Sequence, residues 1–554
     1  MGILSAPCWL PMKNKKKILI KTARSGAPIA VVDGVNFHSV YDPVREAKRF
    51  INQVFNDSVP GTIILAGAGL GYLQEELKSR FPEARVLPLY YTTELYQLSD
   101  RAGQQAWHPG AAVSLLAFLR QNLTELDLSH LQVLKWPAAA NIFPEYAAEI
   151  DKQLSHVIKE LSGSFITTYA LGKLWLRNSF RNYLYLDRVF SFRAVGRGKP
   201  VVLAGSGPSL DEATGLIKTY RRQISVWALP SAIPCLHTAG IFPDLVILTD
   251  PGYYSLVHLQ DLAVYPTKLL MPLSAAAGTW RLQTATAFIQ QPHFFEQALI
   301  QTLPQTCPEI PPGGTVAATA LELAQLYSGS LVLTAGLDFC CQDIRSHAFP
   351  SAFYRLLEVD ADRTGPAYSR VYQRTRQLYP ERDVSTNTRT SRPLRTYAGW
   401  FNSLPLTKQQ RIRRIRGRYT TAFQLQAVSR AELTFLTTGT PELLPPLFTA
   451  LTEYPVFSRR REIALKLLAE WQLVIKQAKQ HWEMATGSRG ALDNQDLAYK
   501  LCYFTDLDKL NKASGLLANG QTAPARDKFL ELLQGAAGFL QELVSKVEGE
   551  SGNG

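Results

Sequence analysis

Short apolar runs alternate with turn-forming residues along most of the chain, and helical periodicity takes over in its last part. Ile18–Ile20 and Ile29–Val32 are brief apolar runs. Thr62–Ala66 (TIILA) has the pattern of a buried strand and passes directly into a glycine cluster and a helical stretch; Arg85–Tyr90 (RVLPLY) reads as the next strand. Helical patterns over Ala147–Leu161 and Leu174–Val189 lead to a basic connector, Arg193–Lys199. Beyond it, Val201–Ala204, Ile224–Leu229, Leu245–Thr249, Lys268–Met271 and Leu331–Thr334 read as strands, with helical stretches between most of them. That βαβα order implies a parallel sheet covered on both faces. From about Lys408 onward Ile463, Leu467, Leu468, Trp471, Val474, Ile475, Ala478 and Trp482 recur at three- and four-residue steps, and Phe529, Leu532, Leu533, Ala536, Leu540, Leu543 and Val544 repeat the stripe. The expected organisation is a multidomain α/β protein: an N-terminal α/β domain over 12–195, a central Rossmann-like domain over 196–400 and a helical C-terminal domain over 401–554.

Composition narrows the class. A chain of 554 residues needs more than one hydrophobic core. Its 46% hydrophobic content excludes a mostly disordered or collagen-like chain. No apolar run is long enough for a transmembrane helix. The start, MGILSAPCWLPMKNKKK, sets its charges after the apolar stretch, the reverse of a secretory signal. Six cysteines without a CxxC pair give neither a disulfide framework nor a zinc ribbon. The expectation is a cytoplasmic protein without a membrane span. The net charge of +13 favours an anionic partner: a nucleotide, an acidic sugar, nucleic acid or a membrane surface. The densest basic run, Lys408–Arg418 (KQQRIRRIRGR), has no interleaved aromatics and reads as a solvated face rather than a nucleic-acid site.

In open parallel sheets ligands bind outside the carboxyl ends of the strands. Gly205-Ser206-Gly207-Pro208-Ser209 follows VVLA directly. Its glycines allow a tight turn, Pro208 suits a first helical position, and the helix start would offer free N–H groups to a phosphate. It is neither a Walker loop nor a dinucleotide fingerprint, and a ligandless βα turn is the alternative. Ser231 and the pair Thr249-Asp250 close the next two strands; Asp250 would serve a ribose, a metal or a helix cap. Gly314-Thr315 opens a helical run with Thr315 as N-cap, and Asp338 ends the following strand, with His347 nine residues later. His347 is a structural donor or a general base. The N-terminal Gly67–Gly71 cluster has the right context for a nucleotide turn, but the following strand ends in Tyr90-Tyr91 without an acid, which favours a structural turn.

Three segments then converge on a known family. VVLAGSGPSLDE, SVWALPSAIPCLHTAGIFPDLVILTDPG and GGTVAATALELA with LTAGLDFCCQDIRSHAF resemble the motility-associated factor (Maf) glycosyltransferases. KTARSGAPIAVVDG, HSVYDPVREAKRF and LAGAGLGY resemble that family's N-terminal domain, which suggests Met12 as a start. The resemblance implies a cytoplasmic enzyme with a sialyltransferase-like central domain. It would transfer a nonulosonic acid (pseudaminic, legionaminic or sialic type) from a CMP-activated donor to Ser or Thr hydroxyls of flagellin, with no obligatory cofactor or metal and no nucleic acid as partner. It also implies donor contacts at Gly205, Ser206, Gly207, Pro208, Ser209, Gly314, Thr315 and Asp338 and matches Asp250 and His347 to family motifs; Ser231 and Thr249, at their strand ends, join the donor-binding candidates, and Asp250 and His347 are the catalytic candidates. The sequence departs from the family at Tyr90-Tyr91 and in the arginines of 411–419. Two alternatives stand beside this reading. One is an enzyme like the archaeal 6-hydroxymethyl-dihydropterin pyrophosphokinases, using ATP with Mg²⁺ on Asp250 and Asp338; the other is a non-catalytic flagellin-binding protein.

Overall fold

The computed structural model describes residues 16–549 except 56–59, 100–104, 193–198, 266, 305–306, 311–313, 328–330, 343, 384–386, 416–424, 430, 433, 435–446, 452, 485–495 and 519. Most of the connector expected at 193–199 and the end of the basic run at 416–418 lie outside these residues. The chain divides into two compact units, neither contiguous: Met1–Gly172 with Glu470–Gln541, and Lys173–Ala469 with Glu542–Gly554.

In the first unit, β1 (Ile18–Thr22), β2 (Pro28–Val32) and β3 (Val35–Asn36) form an antiparallel sheet. A parallel sheet of order β5-β4-β6 is built from β4 (Thr62–Ala66), β5 (Arg85–Leu89) and β6 (Leu131–Lys135). All five β4 residues are buried, as a run without alternation requires when both faces are covered. Gly67, Gly69 and Gly71 all have positive φ, and a Cβ at Gly69 would lie 2.5 Å from the Phe37 ring. Ala139 and Phe37 thus pack closely against this turn.

The long helical stretch expected through 147–161 and 174–189 is a single helix, Pro144–Tyr185. It ends before Val189 because Val189–Phe192 pairs as β7, a strand too short to register against the helical pattern. Gly172 lets this helix approach helix Leu497–Thr505 closely; a Cβ there would overlap the Phe504 carbonyl. The apolar stripes are buried as expected, with Ala464, Leu468, Trp471, Ile475 and Trp482 on helix Phe457–Met484. Trp482 stacks on Phe529 of helix Thr522–Gly549 at 4.4 Å.

The second unit holds a nine-stranded sheet: β8 (Val201–Ala204), β9 (Ser225–Ala228), β10 (Leu245–Ile247), β11 (Leu269–Met271), β12 (Thr286–Phe288), β13 (Val332–Ala335), β17 (Ile412–Arg414) and β18 (Phe448–Ala450) join β7. Its order is β17-β13-β8-β9-β10-β11-β12-β7-β18, and every pairing is parallel except β18 with β7. The sheet thus recruits β7 from before the expected boundary at 195 and β17 and β18 from after the one at 400. A small antiparallel sheet of β14 (Cys341–Gln342), β15 (Glu381–Asp383) and β16 (Thr388–Thr390) stands beside it.

The basic run supplies β17, an edge strand. Lys408 pairs with Glu322 at 2.6 Å and Arg413 with Glu432 at 3.2 Å. Helix Val316–Tyr327 lays Ala317, Ala320, Leu321 and Ala324 onto Val201, Leu203 and Val332 in the core. β13 starts five residues after that helix ends, so the helix returns antiparallel to the strand and begins at the carboxyl edge of the sheet.

Candidate active site

Successive strands run outward from β8 through β12, whereas β13 adds on β8's other side. The order therefore reverses between β8 and β13, and a crevice is expected outside their carboxyl ends. Both strands end in the residues the sequence singled out: Gly205–Ser209 after β8 and Gly336–Asp338 after β13.

These two turns are packed backbone to backbone. Gly205 N–H donates to Ala335 O (2.8 Å) and Gly207 N–H to Gly336 O (2.6 Å). A Cβ on Gly207 would sit 2.6 Å from Asp338 Oδ2, and one on Gly336, whose φ is +64°, would overlap the Gly205 carbonyl. Asp338 is only 2% exposed. Its Oδ2 accepts the Ser209 N–H (2.7 Å) and its Oδ1 the Ser209 hydroxyl. Burial outweighs these hydrogen bonds and raises the Asp338 pKa. The turn was expected to leave its helix-start N–H groups open to a phosphate; those of Gly207 and Ser209 are instead committed to the β13 turn. For the same reason the regular helix begins at Leu210, past Pro208. The carboxylate at its N-terminus also opposes the positive end of the helix dipole.

Above this base the mouth of the crevice is polar. The Ser206 and Ser231 hydroxyls share a hydrogen bond of 2.8 Å, and Ser206 O accepts the Ala348 N–H at 2.7 Å, which brings His347 beside the turn. Asp211 pins the same segment, accepting from Phe349 N–H (2.9 Å) and pairing with Arg345 (3.0 Å). His347 is half-buried. Its Nδ1 faces the Ser346 hydroxyl at 2.8 Å, and Nε2 has no hydrogen-bond partner among the described residues. Burial, with His258 and Arg374 nearby, pushes its pKa down to about 4, so the ring is neutral at pH 7.

Asp250 is exposed at the end of the β10 segment. Its Oδ1 accepts the Gly252 N–H (2.7 Å), and its main-chain oxygen accepts the Ala276 N–H (2.9 Å). It acts electrostatically on His258, a buried residue of helix Tyr254–His258 whose pKa burial lowers and Asp250 raises. The Phe353 ring joins the two histidines: His258 meets it edge-on at 4.8 Å and His347 at 5.9 Å. Thr249 is half-buried beside Asp250. Thr315 caps helix Val316–Tyr327 as expected, its hydroxyl accepting the Ala318 N–H (3.0 Å), and Gly314 precedes it with φ +74°. Neither residue bonds to the others of the set among the described residues.

Four supporting residues had no local signature. Asn178 and Asn182, one turn apart on helix Pro144–Tyr185, donate to Pro251 O and Ser274 O and to Leu273 O and Ala275 O, tying down the loops after β10 and β11. Glu296, fully buried, accepts Ser274 N–H (2.8 Å) and Gln291 N–H (2.9 Å) and fixes the loops after β11 and β12. His258 is the fourth. The two Asn stand at i and i+4, but Arg177, Ser179 and Arg181 surround them, so the pair does not stand out along the chain. Among the described residues no three His, Cys, Asp or Glu side chains gather as a metal site.

Comparison with known proteins follows the same geometry. A family model described as 6-hydroxymethylpterin diphosphokinase MptE-like matches residues 175–343. Two uncharacterized proteins of Treponema pallidum (strain Nichols) are similar, one 25% identical over 305 residues (55% of this chain, 64% of the relative), the other 30% identical over 115 residues (20% and 54%). The chain thus spans less than two thirds of the length of each of these two relatives. The structure of the Maf glycosyltransferase from Magnetospirillum magneticum AMB-1 superposes with a TM-score of 0.57 at 12% identity, covering 97% of this chain and 94% of that one. The chain has the Maf glycosyltransferase fold, as its motifs implied.

Proposed function

We propose that the protein is a glycosyltransferase that moves a nonulosonic acid from a CMP-activated donor to Ser or Thr hydroxyls of flagellin, in the cytoplasm before export. The observation that carries this reading is the likeness of fold over nearly the whole chain, with Ser206, Ser231 and His347 gathered around the β8–β13 reversal. No described helix is long and apolar enough to cross a membrane.

The transfer is an inverting single displacement. The acceptor oxygen forms its bond to the anomeric carbon as the bond from that carbon to the phosphate oxygen breaks. The electron pair leaves with CMP, and the acceptor proton passes to His347 Nε2. The tautomer this role calls for is the one whose Nδ1–H donates to the Ser346 hydroxyl, which leaves the neutral ring a lone pair at Nε2. The charge growing on the leaving phosphate is met by the Ser206 and Ser231 hydroxyls and by the Val316 and Ala317 N–H groups at the start of helix Val316–Tyr327, Thr315 having capped that of Ala318. Asp338 acts from beneath by fixing the turn. The negative charges of the bound donor oppose the field of Arg374 and so strengthen His347 as a base.

The family model favours a second reading, a pterin pyrophosphokinase, over part of the chain. That reaction would call on Asp338 as a Mg²⁺ ligand, yet this carboxylate is buried and spent on Ser209. Thermal stabilisation by CMP, CDP and ATP, each with and without Mg²⁺, separates the two. A ligand at about 100 times its Kd adds about 2.7 kcal/mol. The transferase responds to CMP and CDP and releases CMP when given a CMP-nonulosonate and flagellin, with EDTA present. A response to ATP with Mg²⁺ alone would overturn it.

A further inference from the structure

The Arg374 guanidinium lies over the Phe353 ring, 5.2 Å from its centroid, and that ring is the one both site histidines touch. Arg374 stands on helix Ala367–Leu378, which carries Arg370, Arg374 and Arg376 and no acid. Nearby arginines have carboxylate partners: Arg345 pairs with Asp211, Arg355 with Asp261 and Arg395 with Glu381. Arg374 is exposed, and among the described residues it makes no ion pair and no hydrogen bond. Its field reaches His347 and Tyr379. A guanidinium oriented by an aromatic face, with its planar fork of donors unspent, is a ready receptor for a carboxylate.

We propose that Arg374 receives the carboxylate of the transferred sugar and thereby selects a 2-keto acid sugar over a neutral one. The proposal rests on the transferase reading. In a 2-keto acid sugar the carboxylate is attached to the anomeric carbon itself, one bond from the atom under attack. Its receptor must therefore stand beside the base that takes the acceptor proton, and Arg374 shares the Phe353 ring with His347. The nucleotide phosphate is met elsewhere, at Ser206 and Ser231, so the mouth provides separately for two anionic groups. A neutral sugar would leave the second without a partner.

Calorimetric titration of the full chain and of Arg374→Met and Arg374→Lys tests this, with CMP and CMP-N-acetylneuraminate as probes. Methionine retains an apolar stem for Phe353 and removes only the fork. It is expected to weaken CMP-N-acetylneuraminate at least tenfold and CMP less than twofold, with Lys intermediate. Equal loss of both probes assigns Arg374 to the phosphate, and no loss of either removes it from the donor site; each result overturns the proposal. Failure of the wild type to bind CMP overturns the transferase reading, and the proposal with it. The His347 ring, followed by NMR in Arg374→Met, is expected to titrate at higher pH than in the wild type. An unmoved titration would show that the guanidinium is not beside the base.

Discussion

Replacing Asp338 separates two roles for one carboxylate: touching the donor, or holding the turn that lies under it. In Asp338→Ala the Ser209 N–H and hydroxyl lose their acceptor inside a closed contact. Hydrogen bonds to a charged group contribute about 1.5–3 kcal/mol each, and a buried N–H left alone costs about 1–3 kcal/mol. Against this stands the cost of burying the carboxylate, visible in its raised pKa. The net expectation is a loss of about 3 kcal/mol, local to the 205–215 turn, or roughly a hundredfold faster amide exchange there where exchange follows local opening. Asp338→Asn retains an acceptor for the Ser209 N–H, and the Ser209 hydroxyl can turn to accept from the new amide, so less than about 1 kcal/mol should be lost. Hydrogen exchange read by mass spectrometry, beside CMP titration of the same samples, decides it. CMP affinity should fall in Ala and survive in Asn. Lost affinity in both variants with exchange unchanged would refute the supporting role and make Asp338 a direct donor contact.

Three further outcomes follow from the geometry. His347 has a pKa near 4 in the fold against 6.5 for a free histidine, so between these values the unfolded chain holds the extra proton; stability is complete above pH 6.5 and falls as pH drops toward 4. The His347 share of that loss from pH 7.5 to 5 is about 2 kcal/mol at most, and His347→Gln should lose correspondingly less in a thermal series; equal losses would contradict the shift. Glu296→Gln places an amide N–H against one of two buried backbone donors, and is expected to cost about 2–4 kcal/mol and to speed exchange at Ser274 and Gln291 together; a wild-type exchange pattern would count against the brace. Gly336→Ala combines a left-handed φ, costing about 1–2 kcal/mol, with a Cβ overlapping the Gly205 carbonyl, so it should lower the melting temperature more than Gly399→Ala, where a Cβ meets open space on a helix; equal melting temperatures would show that the turn can yield.

Local chemistry determined what could be read along the chain. TIILA is β4 as delimited, VVLA is β8, Thr315 is the N-cap, and the stripes of 463–482 and 529–544 are helix faces, because short apolar runs, helical period and capping act within a few residues. β6, β7, β12, β17 and β18 carried no such signal; most run to three or four residues, too few for a period, and are strands because a neighbour supplies their hydrogen bonds. Only the folded sheet decided that β13 lies beside β8. That adjacency joins Asp338 to Ser209 across 129 positions and turns a presumed phosphate cradle into a closed contact. Arg374 and His258 entered the candidate site the same way, through the Phe353 ring. Spacing along the chain records neighbours a few residues away; strand order and ring packing are fixed by burial between distant segments, and no local pattern encodes them.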